Sequence, residues 1–149
     1  MLRLVKLKKR TFYIMIISAA AVILSVSLDT LLRANNDLLF NEWIAGGSFE
    51  INDSEQLYRL YLSSLMADYF FRMIVPVAFG LQTYFAFIKS GVGIVYKIIW
   101  AVIIGAMLIV TLLNFDPSSP VYYITSAAYV IIVISLLRIK HNPQKSVGG

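Results

Sequence analysis

Two opposite charges, Asp68 and Arg72, lie inside an otherwise apolar stretch of the sequence. A spacing of four residues places both side chains on one face of a helix, where a carboxylate and a guanidinium group can pair. Ser64, Pro76 and Gly80 continue the same spacing, so we predict a stripe of polar or small residues along that face. Because proline has no N–H, Pro76 also leaves the Arg72 carbonyl without its usual donor and predicts a kink.

The residues Ser64, Asp68, Arg72 and Pro76 form the candidate intramembrane site, and two interpretations are open. In the structural one, the two charges neutralise each other and clamp the helix to its neighbours. In the functional one, Asp68 holds a proton or a cation, or Arg72 binds an anionic headgroup, in a cavity open to the outside. A lone charge near the bilayer centre costs at least about 2.5 to 3.5 kcal/mol, so we expect the pair to face other helices or water. Small polar residues that could meet it are Ser18, Ser25, Ser27, Thr111, Asn114, Thr125 and Ser126.

The elements that must position these residues are transmembrane helices. A hydrocarbon core of about 30 Å takes about 20 helical residues to cross. The predicted spans are 11–32, 58–88, 94–115 and 119–138. The composition agrees, because 59% of the residues are hydrophobic and 14% are charged, whereas a soluble domain is about 25% charged. We therefore predict an all-α membrane protein, a four-transmembrane-helix antiparallel bundle that forms one domain over residues 1–149.

Positive charge is distributed unevenly along the chain. Of the 13 lysines and arginines, all but Arg33, Arg59 and Arg72 fall in the N-terminal head, the second connection or the tail. By the positive-inside rule, both termini are predicted to be cytoplasmic. The first apolar stretch is longer than a usual signal-peptide core, so we expect a retained helix in a plasma membrane, which the small size and simplicity of the chain suggest is bacterial. The net charge of +5 is then expected beside the anionic inner leaflet, and no nucleic-acid partner is predicted.

The longest connection, residues 33–55, lies on the predicted outer side and is expected to contain a short amphipathic helix. The run Asn35, Asn36 and Asp37 can cap its start, and Gly46 with Gly47 can end it. Its apolar face holds Leu39, Phe40, Trp43 and Ile44. Aromatic rings on such a helix favour the headgroup level. One interpretation is a lid over the outer ends of the spans, and the other is a docking surface for a partner or a lipid.

The residue types that the chain lacks exclude several chemistries. Without cysteine there is no thiolate metal site, disulfide or iron–sulfur cluster. The one histidine, His141, lies in the tail 139–149, which is predicted to be a disordered cytoplasmic segment, so a bis-histidine haem or a catalytic triad is not expected. Asp68 is the only acid predicted inside the membrane, which leaves no paired carboxylates there. We predict no cofactor, no metal and a non-enzymatic role. The alternative, an enzyme acting on a lipid-linked substrate, would use the outer acids Asp37, Glu42, Glu50 and Asp53.

Two functions are compatible with these features. The first is a non-enzymatic accessory, assembly or regulatory subunit that binds another membrane protein or a lipid through the outer helix and through small-residue seams between helices. The second is a small oligomeric transporter or channel that uses the pair formed by Asp68 and Arg72. In both, the lipid bilayer is one partner, and a membrane-protein partner or a second copy of the chain is another.

Overall fold

The computed structural model describes residues 4–140, and these are helical over most of their length. The helices are α1 (Lys9–Ala34), α2 (Asp37–Gly46), α3 (Ser54–Phe85), α4 (Ile94–Leu113) and α5 (Pro120–Leu137). A π-helical turn, Ala86–Ser90, continues α3. Four of these helices, all except α2, are long and apolar enough to cross a membrane. The predicted all-helical class is therefore confirmed, as is the presence of four helices that are long and apolar enough to span a membrane. Residues 141–149 of the predicted disordered tail, including His141, lie outside the described residues.

Helices α2 and α3 begin at residues whose side chains cap the free backbone N–H groups of the first turn. The Asn36 side chain accepts hydrogen bonds from the N–H groups of Leu38 and Leu39 at the start of α2, at 3.0 and 3.3 Å. The Asp53 side chain accepts one from the Glu55 N–H at the start of α3. Such caps replace the partners that the first turn of a helix lacks. The predicted helix in the 33–55 connection is thereby confirmed.

Helix α1 packs against both α3 and α5, and α4 packs mainly against α5. Few contacts join α3 to α4. The buried core includes Met15, Val22, Phe79, Ile104, Tyr129 and Ile132. Most of the outer surface of the long helices is apolar and exposed, as expected where lipid replaces water around a protein.

One end of the molecule carries Lys9 and Lys97, and we call it the basic end. Here the N-terminal segment and the α3–α4 connection pair through backbone hydrogen bonds between Val5 and Val92, at 2.9 and 2.8 Å. The Lys97 ammonium donates to the carbonyls of Leu137 and Ile139, at 3.1 and 3.2 Å. Those carbonyls lie at and just beyond the C-terminus of α5, where a cation is favourable. We call the opposite end, which carries α2, the α2 end.

Candidate functional site

The predicted pair is present on α3, and it lies toward the α2 end. The Arg72 Nη2 and the Asp68 Oδ2 are 2.9 Å apart, as the spacing of four residues predicts. The Asp68 side chain is 52% exposed and the Arg72 side chain is 32% exposed. Helix α3 continues through Pro76, which is fully buried. The pairing follows from local sequence, whereas its surroundings come from the other helices.

A second carboxylate, Asp29 of α1, also binds Arg72. The Asp29 Oδ2 lies 3.1 Å from the Arg72 Nη1 and 3.1 Å from the Arg33 Nε. The Asp29 side chain is only 13% exposed, so it is the most buried of these charges. Asp29, Arg33, Asp68 and Arg72 together form what we call the charge cluster. The sequence predicts Asp68 as the only acid inside the membrane, and the structure adds that α1 brings a second acid, Asp29, to the same guanidinium group.

The charge cluster lies at the edge of the apolar zone. On α1, the uncharged stretch from Thr11 to Leu28 covers about 18 residues, or roughly 27 Å at about 1.5 Å per residue. On α3, the uncharged stretch between Arg72 and Lys89 covers about 16 residues, or roughly 24 Å. The α1 stretch begins at the basic end and the α3 stretch ends there. Each is nearly as long as a hydrocarbon core of about 30 Å is thick. In a bilayer that these apolar stretches cross, Asp29 and Arg72 would lie near headgroup level.

A cavity of about 530 Å³ adjoins the charge cluster and is lined by all four long helices. Its polar lining consists of Asp29, Arg33, Ser64, Asp68, Arg72, Thr111, Asn114, Asp116, Ser119, Tyr122, Thr125 and Tyr129. Of the polar residues predicted to meet the pair, Thr111, Asn114 and Thr125 line the cavity. The four predicted serines do not. Ser64 lines it as well, whereas Pro76 does not.

The cavity separates α3 from α4 toward the α2 end. Toward the basic end, the Trp100 indole N–H donates to the Gln82 side chain at 3.0 Å, and Thr83 is hydrogen-bonded to Tyr96. The rings of Phe79 and Trp100 also stack edge to face, with centroids 5.2 Å apart. These contacts tie the two helices together at one level only. Beyond them, residues of α3 and α4 line the cavity together with residues of α1 and α5.

Asp116, in the connection between α4 and α5, adds a third carboxylate to the cavity wall. Its Oδ1 accepts hydrogen bonds from the Ser118 hydroxyl at 2.6 Å and from the Ser118 N–H at 3.1 Å. Hydrogen bonding to the ionised form favours it, and the Ser118 hydroxyl is the main cause that lowers the pKa of the Asp116 carboxyl. The cavity is thus lined by three carboxylates and two guanidinium groups.

The predicted docking residues of α2 face inward. Leu39, Phe40, Trp43 and Ile44 are half-buried. The Phe40 ring lies 5.4 Å from Tyr58 and 5.3 Å from Tyr61, and the Trp43 ring lies 5.5 Å from Tyr61. None of these α2 residues lines the cavity. Helix α2 is therefore packed on the N-terminal part of α3, and a docking role for its apolar face stays a prediction.

Comparison of the chain with protein-family models, curated proteins and solved structures finds no match. Within residues 4–140, no group of three or more histidine, aspartate or glutamate side chains is placed to hold a metal ion. Any function must therefore be argued from the cavity and the charge cluster.

Proposed function

We propose that this protein is a non-enzymatic accessory or regulatory subunit of a bacterial plasma membrane, which binds another membrane protein or a lipid in the cavity between α3 and α4. The four long helices form an antiparallel bundle with both termini in the cytoplasm. At the basic end, the N-terminal segment contacts the α3–α4 connection, and the end of α5 contacts the start of α4. These contacts support that topology, as do the lysines and arginines there. The α2 end then faces the outside.

The observation that carries the binding role is the cavity itself. A helical bundle whose polar groups served only its own packing would close its helices around them, because packed protein interiors leave few voids larger than a water molecule. Here Asp68 is 52% exposed beside a cavity of about 530 Å³. This volume is within the range of about 300 to 1,000 Å³ that is typical of ligand sites.

Photo-crosslinking in native membranes tests this proposal. A benzophenone amino acid is introduced at Thr111, which lines the cavity. The matched control is the same replacement at Ile109, which lies on the same helix, is 59% exposed and does not line the cavity. We expect a discrete protein or lipid adduct from position 111 and only bulk-lipid labelling from position 109. Identical labelling from both positions would refute a binding role for the cavity.

A second candidate function is a small oligomeric transporter or channel. One observation favours it: Asp68 lines the cavity and its side chain is 52% exposed, so its carboxylate is accessible to a solute in the cavity. The test is solute or proton flux into liposomes, in which Asp68→Asn should abolish flux while the helix content is retained. Equal flux in the variant and the unaltered protein would rule this role out.

A further inference from the structure

We infer that the cavity binds the headgroup of a zwitterionic phospholipid that carries a primary ammonium, as phosphatidylethanolamine does. Its phosphate lies at Arg33 and its ammonium at Asp68. This inference rests on the proposed binding function and names the ligand class of the same site.

The position of the cavity along the helices favours a lipid as its ligand. Asp29 follows an uncharged stretch of roughly 27 Å on α1, so the charge cluster is level with lipid headgroups and not with acyl chains. The apolar part of the lining comes from both sides of the opening between α3 and α4. It includes Leu65, Phe71, Met107 and Val110. A lipid can thus insert its headgroup sideways between the two helices while its acyl chains remain against apolar side chains.

The charged residues that line the cavity favour a zwitterionic headgroup over an anionic one. The lining contains Asp29, Asp68 and Asp116 against Arg33 and Arg72, so carboxylates outnumber guanidinium groups by one. A headgroup with a net negative charge would add to that excess, and like charges at close range are unfavourable. A zwitterionic headgroup adds no net charge to that excess, and its ammonium can pair with a carboxylate while its phosphate faces an arginine.

Two side chains retain the capacity to bind this headgroup. Both Nη atoms of Arg72 already donate to carboxylates. Arg33 pairs with Asp29 through Nε, its side chain is 41% exposed, and among residues 4–140 its Nη groups form no ion pair. The phosphate therefore fits Arg33, whose planar donors suit phosphate oxygens. Asp68, half exposed, can accept hydrogen bonds from an ammonium, whereas a trimethylammonium group offers no N–H donor.

Native mass spectrometry of the full chain, released from nanodiscs, tests the assignment. The nanodiscs hold equal amounts of phosphatidylethanolamine, phosphatidylcholine and phosphatidylglycerol, with soluble glycerophosphoethanolamine added in a parallel sample. We expect about tenfold more retained phosphatidylethanolamine than either of the other two lipids, the factor that one additional charge-assisted hydrogen bond provides. Asp68→Asn should remove the preference over phosphatidylglycerol, and Arg33→Gln should reduce retention of all three lipids.

The exposed pair Glu55 and Arg59 supplies matched controls. It is also spaced by four residues on α3, its side chains are 72% and 77% exposed, and it does not line the cavity. Glu55→Gln and Arg59→Gln should retain lipid as the unaltered protein does. Helix content and elution volume in detergent show whether each variant is folded. If Asp68→Asn does not fold, the lipid preference of the unaltered protein still decides the assignment.

The other outcomes distinguish failure of the lipid-headgroup assignment from failure of the proposed binding function. Equal retention of the three lipids, or a preference for phosphatidylglycerol, overturns the headgroup assignment and leaves the cavity as a binding site. Retention of glycerophosphoethanolamine without lipid would show that the bound headgroup comes from a soluble molecule, which overturns the lipid inference. A protein adduct at position 111 in place of a lipid assigns the cavity to a partner and overturns the lipid inference. Absence of any retained lipid, with identical crosslinking at positions 111 and 109, overturns the binding function as well.

Discussion

Asp29 of α1 and Arg72 of α3, 43 positions apart in the chain, form an ion pair with 3.1 Å between Oδ2 and Nη1. This pair joins α1 to α3, two helices that pack closely against each other. Asp68 binds the other Nη atom of the same guanidinium group, but its side chain is 52% exposed, against 13% for Asp29. Neutralising Asp29 and neutralising Asp68 should therefore change the stability of the protein by different amounts.

We expect Asp29→Asn to destabilise the protein more than Asp68→Asn does. Asp29→Asn should cost about 1 to 3 kcal/mol, below the value for a fully buried pair, because Arg72 keeps Asp68 and remains partly exposed. Asp68→Asn should cost less than about 1 kcal/mol, as an exposed pair does. Unfolding in a fixed detergent, followed by circular dichroism, measures both. A larger loss of stability with Asp68→Asn would mean that the ion pair within α3 stabilises the protein more than the ion pair between α1 and α3 does.

How far the sequence predicts this site depends on the range of the interactions. The pair of Asp68 with Arg72 is predictable because four residues along one helix fix their distance. Asp29 and Arg33 have the same spacing, directly after the first apolar stretch, and this local signal could have identified them as a second pair. Their meeting with Arg72 depends on which helices are neighbours. That order is set by packing over the whole molecule, which apolar stretches alone do not encode.

The placement of α2 shows the same limit. Its caps and its apolar face are local properties, so the helix itself is predictable. What covers that face is not, because a lipid, a partner and another part of the chain all satisfy an apolar surface equally well. In the structure, Tyr58 and Tyr61 of α3 cover Phe40.

We expect Phe40→Ala to loosen α2 from α3 at a cost of about 1 to 2 kcal/mol, since it removes two aromatic contacts and part of a half-buried ring. Hydrogen exchange over residues 37–46 should accelerate. The control is Leu38→Ala on the same helix, because Leu38 is 74% exposed and its truncation should leave exchange unchanged. Faster exchange in the Leu38 variant than in the Phe40 variant would mean that α2 packs through its other face.

Among residues 4–140, Gly91, in the connection between α3 and α4, is the glycine with a positive φ. Its φ is +75°, and a Cβ added there would lie 2.9 Å from the Val5 carbonyl oxygen. Gly91→Ala should therefore cost about 1 to 3 kcal/mol and weaken the hydrogen bonds between Val5 and Val92. The measurement is the exchange protection of the Val92 amide together with the unfolding midpoint.

Gly93 provides the comparison for Gly91. Its φ is −88°, and the nearest atom to an added Cβ is a side-chain carbon of Leu4 at 3.4 Å. Gly93→Ala should leave both measurements near those of the unaltered protein. Equal losses for the two variants would indicate that this connection responds to side-chain bulk and not to backbone conformation.

The Asp116 carboxyl gives a pH-dependent prediction outside the helices. The Ser118 hydroxyl, followed by the Ser118 N–H, holds its pKa below the ordinary value of 3.8. Because the folded pKa is the lower one, the stabilisation is fully present above the unfolded pKa and is lost as the pH falls through the folded pKa. Ser118→Ala removes the hydroxyl, so the pKa of Asp116 should rise toward 3.8 but stay below it, since the backbone donors remain. Carbon-13 NMR titration of the aspartate side-chain carbons measures the change. Ser119→Ala is the control, because the Ser119 side chain makes no cap hydrogen bond, and a larger pKa change in that variant would contradict the role of Ser118.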